Sequence, residues 1–120
     1  MVRLHICMTC KAGLPPEEGV PCVGAQVFAA VSALEIPAGV EVVPVECLSA
    51  CNAGGVVALS APGRWSYVYG RMAAQNAAEI LAGAAAYERA PDGLVPWRER
   101  PVIFRKQSLA RIPPMEAKHD

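Results

Sequence analysis

Two pairs of cysteines constrain this chain more than any other feature. Cys7 and Cys10 follow a stretch in which Val2, Leu4 and Ile6 alternate with Arg3 and His5, and Cys47 and Cys51 follow a β-branched run of Val40, Val42, Val43 and Val45. Both patterns predict strands, so each pair sits where a strand hands over to a loop. Between them Val23, Val27, Phe28, Val31 and Leu34 fall on one helical face, with Pro37 and Gly39 ending the helix. Strand, helix, strand is a parallel crossover, and neighbouring parallel strands end at one edge of a sheet. Four thiols whose pairs lie 36 residues apart are thereby expected side by side.

The remaining elements extend that unit. The β-branched run at 40–45 reads as a strand buried on both faces. Val56 to Leu59 is another apolar strand, and the Pro62-Gly63 turn leads to Trp65, Tyr67 and Tyr69 on one face of an antiparallel partner. A second helix is predicted from about Ala73 to Arg89, burying Ala77, Ile80, Leu81, Ala84 and Tyr87, with Pro91 beyond its end. The predicted order is β-α-β-β-β-α, an α/β fold with a mixed sheet, two helices and an extended C-terminal tail. One domain spans residues 1–112 and includes a basic C-terminal extension from about 91, leaving 113–120 as a frayed tail.

A chain of 120 residues, 53% hydrophobic and 18% charged, buries a core without disulfide staples. Its cysteines therefore need another reason. The apolar runs are too short to span a bilayer, and no basic region leads an apolar leader at the N-terminus, so a reducing cytoplasmic setting is expected. In that setting a C-x-x-C pair is metal-binding or redox-active rather than structural. Eleven basic against eleven acidic residues argue against nucleic acid as the partner. The balance is uneven along the chain. Residues 1–60 hold Arg3 and Lys11 against five glutamates, whereas residues 96–120 hold six cations against three anions. The acidic pair Glu17 and Glu18 is expected to steer a basic redox partner. Arg98, Arg100, Arg105 and Lys106 either fold back on the acidic half, hold a second and acidic partner, or form a solvated tail.

At the level of motif, His5-Ile6-Cys7-Met8-Thr9-Cys10 and Glu46-Cys47-Leu48-Ser49-Ala50-Cys51 resemble the two ligand loops of the thioredoxin-like 2Fe-2S ferredoxins. The second loop is the closer match. The run Asp92-Gly93-Leu94-Val95-Pro96-Trp97-Arg98-Glu99-Arg100-Pro101, with Pro62-Gly63-Arg64-Trp65 before it, is similar to a narrower family of small bacterial proteins of unknown function, described only as predicted metal-binding and thioredoxin-like. The resemblance implies a thioredoxin-like ferredoxin fold and a 2Fe-2S cluster held by Cys7, Cys10, Cys47 and Cys51. It further implies one-electron exchange with a protein redox partner and a homodimer; no membrane partner is expected, since the apolar runs are short. An apolar hairpin face around Trp65, Tyr67 and Tyr69 points to the same dimer.

One departure matters. Ferredoxins of this fold usually place a longer loop between their first two ligands, and Cys22 ahead of the first helix is the alternative to Cys10. Zinc held by the same four thiolates, as a structural or interaction module, is the competing account of the set. A dithiol-disulfide pair at Cys7 and Cys10 leaves Cys47 and Cys51 unexplained. A mixed Rieske-type centre needs His5 and a second histidine, and His119 lies in the tail. No serine-histidine-acid set or phosphate-cradling glycine loop is recognisable, so catalysis is not expected. Gly54-Gly55 reads as room for backbone to pass close to a cluster.

Overall fold

The computed structural model describes residues 1–9, 19–49 and 54–115. Its strands are β1 (Val2–Cys7), β2 (Val40–Val45), β3 (Gly55–Ser60), β4 (Ser66–Met72) and β5 (Ser108–Ile112), and its helices are α1 (Val23–Ser32), α2 (Ala77–Arg89) and α3 (Val102–Lys106). The sheet runs β2-β1-β3-β4-β5. β1 and β2 are parallel, with Cys7 opposite Val45, and every other pairing is antiparallel. The predicted β-α-β-β-β-α order is therefore present from β1 to α2.

Alternation along β1 decides the layers. Val2, Leu4 and Ile6 project to one face and join Val27 and Val31 of α1 and Ile80, Leu81, Ala84 and Tyr87 of α2 in one core. Each valine, leucine or isoleucine so enclosed stabilises the fold by about 1.5–3 kcal/mol. Both helices thus cover the same face of the sheet. Arg3, His5 and Cys7 project to the other, where Cys7 and Val56 form a small apolar group with Leu48 and Val68. α1 ends at Ser32, earlier than Pro37 and Gly39 suggest, and Leu34 lies beyond it in solvent.

Three expectations change. β2 is not buried on both faces: only Val40 is buried, and Glu41 and Pro44 are exposed. It is an edge strand, the position where a proline without an N–H is tolerated. The hairpin tyrosines form no exposed face, because Tyr69 stacks on Phe104 with ring centroids 3.9 Å apart and Tyr67 meets Tyr87 edge-on. Both are buried by their own chain, which removes that reason for a dimer. The segment after Pro91 is structured rather than extended, since it forms α3 and adds β5 beside β4.

Gly83 on α2 is what lets α3 dock. A Cβ at this position would lie 2.1 Å from Cε2 of Phe104, whose ring is buried against Tyr69. Alanine gains about 1 kcal/mol over glycine in a helix interior, yet overpacking costs about 1–3 kcal/mol. Gly83→Ala is therefore expected to lower the urea midpoint. A raised midpoint would show that Phe104 moves aside freely.

Candidate metal centre

The exits of β1 and β2 are clamped together by short-range polar contacts. The Met8 N–H donates to the Val45 carbonyl at 2.8 Å, and the Thr9 hydroxyl donates to the Glu46 carbonyl at 2.6 Å. The Cys7 thiol faces that same Glu46 carbonyl at 3.9 Å. Cys7, at the end of its strand, is thus brought to the loop that carries Cys47, as the parallel crossover predicts. Thr9 has no signature in the sequence beyond its place inside C-x-x-C, and its locking role is visible only in three dimensions.

The two thiols differ in setting. Cys7 is 2% exposed, enclosed by Val56, Leu48 and Val68, whereas Cys47 is exposed. Cys47 Sγ accepts a hydrogen bond from the Ser49 N–H at 3.2 Å. Ser49 adopts the left-handed region with φ 57°, a conformation that costs a non-glycine residue about 1 kcal/mol or more and is held only where surroundings determine it. A backbone N–H aimed at sulfur favours its thiolate form and is a recurrent means of tuning sulfur-held metals.

Cys22 belongs to the same corner. It is the N-cap of α1, and its carbonyl accepts the Gln26 N–H at 3.0 Å while its thiol donates to the Met8 carbonyl at 2.8 Å. The helix start therefore touches the residue next to Cys7. Cys10 and Cys51, the other two expected ligands, lie outside the described residues, as do Glu17, Glu18 and His119. Among the described residues no three His, Cys, Asp or Glu side chains are gathered closely enough to hold a metal ion.

Two nearby residues have local explanations. His5 Nε2 is 3.0 Å from the Ser60 hydroxyl, and burial, followed by the neighbouring Arg3 charge, pushes its pKa below the ordinary value. It serves the β1–β3 contact. Gly55 makes room for backbone, as expected, but the backbone is that of Met72: a Cβ at Gly55 would sit 2.2 Å from the Met72 carbonyl oxygen. The close approach belongs to the β3–β4 pairing, where the register shifts.

The family model described as "Protein of unknown function (DUF1636)" matches residues 4–114. The chain belongs to this family. No curated protein matches the sequence. Among solved structures, this DUF1636 protein is similar to a thioredoxin-like [2Fe-2S] ferredoxin from Aquifex aeolicus, with a TM-score of 0.57 over 98% of this chain and 97% of that one, at 17% identity. The DUF1636 chain thus has the thioredoxin-like ferredoxin fold. No helix among its described residues is long and apolar enough to cross a membrane.

Proposed function

We propose that this protein is a 2Fe-2S carrier that passes single electrons between protein partners, its cluster held by Cys7, Cys10, Cys47 and Cys51. The observation that carries the reading is the clamp joining the two strand exits, which sets Cys7 beside the Cys47 loop. Likeness of fold to a [2Fe-2S] ferredoxin agrees with it. The donor set fits: thiolates are the ligands such a cluster takes, and the Ser49 N–H already points at one of them. When bound, the cluster supplies a one-electron couple. The chain's part is to hold the thiolates, shield Cys7 with Leu48, Val56 and Val68, and offset charge on Cys47 with the Ser49 amide.

A second ligand set has its own support. The contact of Cys22 with the Met8 carbonyl puts this thiol next to the first ligand loop, which favours Cys22 in place of Cys10. Single substitutions separate the two sets. With Cys10 as ligand, Cys22→Ala keeps the visible absorption of the cluster and Cys10→Ala loses it. The reverse pattern assigns Cys22. Loss in neither, with iron and sulfide retained, would overturn both sets.

A further inference from the structure

The C-terminal extension builds a surface that electron transfer at the thiol corner does not use. It lies on the β4–β5 side of the sheet, whereas the cysteine loops leave β1 and β2. Trp97, in a short 3-10 turn at Trp97–Glu99, is 59% exposed and yet firmly held. The guanidinium of Arg100 lies 5.6 Å from its ring centroid and that of Arg105 5.7 Å, and Arg105 also donates to the Trp97 and Arg98 carbonyls at 2.9 and 3.0 Å. Arg100 is fixed in turn by the Val95 carbonyl at 2.7 Å and by the Tyr67 ring beneath it. Trp97 is joined to the hairpin through Arg100, which lies over the rings of both Trp97 and Tyr67.

The segment around it is basic. Residues 91–115 hold five cations against Asp92 and Glu99. Among the described residues the one ion pair, Arg3 with Glu41, is at the opposite edge, so the basic segment has not folded back onto acidic side chains there. Arg98 and Lys106 are exposed, Arg98 following Trp97 in its turn and Lys106 following the Arg105 that lies over the Trp97 ring, and Val102, one helical turn before Lys106, is 53% exposed. A tryptophan held between two anchored arginines, with Arg98 and Lys106 in no ion pair among the described residues, is the composition of an interaction hot spot. The two guanidiniums against its ring restrict it before binding, which reduces the ordering cost.

We propose that this Trp97 surface docks an acidic protein segment, with carboxylates meeting Arg98 and Lys106 and an apolar side chain packing on the exposed indole. Charge complementarity selects the class of partner. A nucleic-acid surface needs a broad basic stripe on a basic chain, whereas this chain has no net charge and has committed Arg100 and Arg105 to carbonyls.

The test titrates the full chain with a fluorescent glutamate-rich peptide carrying one leucine. Single-stranded oligothymidine of equal charge and phosphatidylcholine vesicles containing phosphatidylserine are measured alongside. The peptide is expected to bind most tightly. Trp97→Ala and the double variant Arg98→Gln with Lys106→Gln are each expected to weaken it about tenfold, and Trp97→Phe to restore most of the loss. The double variant changes only exposed side chains and keeps the proposal testable if Trp97→Ala misfolds. Absence of peptide binding, equal binding by the double variant, or tighter binding of the oligonucleotide or vesicles would overturn the proposal.

Discussion

Replacing Tyr87 by alanine is expected to lower the free energy of unfolding by about 3–5 kcal/mol, the range for removing a buried aromatic side chain. Small domains have only about 5–15 kcal/mol in total, so the variant stands near the limit of folding. Tyr87 is 1% exposed, meets Tyr67 edge-on, and donates its hydroxyl to the Trp65 carbonyl. Its own carbonyl and that of Glu88 accept Arg64 Nη1 at 2.9 Å, and the same guanidinium lies over the Tyr87 ring. Burial pushes the phenol up to about 12, so it stays a donor across the physiological range. Tyr87→Phe keeps the ring but leaves the Trp65 carbonyl without this donor, at a cost of about 1–3 kcal/mol. Urea denaturation of both variants checks the ranking. A loss below about 1 kcal/mol for Tyr87→Ala would show that α2 is not tied to the hairpin through this residue.

Removal of Cys47 is expected to have the largest effect on function. With a cluster held by four thiolates, Cys47→Ala should reduce the iron and sulfide content at least about tenfold, since even changes one shell further out lower metal affinity by about 10–100-fold. The apo fold should survive, because Cys47 is exposed and lies in a loop. Near-wild-type thermal unfolding of the apo forms, combined with loss of visible absorption, is the expected pair of results. Full iron and sulfide content in Cys47→Ala would remove Cys47 from the ligand set.

Legibility in the sequence followed how local each cause was. β1 and α2 were readable because their burial is one-sided and periodic, and the five positions named for the inner side of α2 are all buried. β2 misled because a valine run reads as doubly buried, whereas edge position depends on which strand β1 takes as its other neighbour. β5 was illegible for a related reason. Ser108–Ile112 is exposed throughout and is a strand only through pairing with β4. α3 is five residues long and docks through the fit of Phe104 to Gly83, which leaves no periodic signal. At the thiol corner, the adjacency of Cys7 and the Cys47 loop was readable from the crossover. The contact of Cys22 with Met8 and the left-handed Ser49 were not, since both arise from loop conformation rather than residue type.

Visible absorption of anaerobically purified protein, with iron, acid-labile sulfide and zinc determined on the same sample, tests the proposed cluster most directly. A 2Fe-2S carrier predicts a coloured protein with iron and sulfide in equal amounts and zinc absent. Colourless protein with stoichiometric zinc and no sulfide would contradict it, and would make the thiolates a structural zinc site.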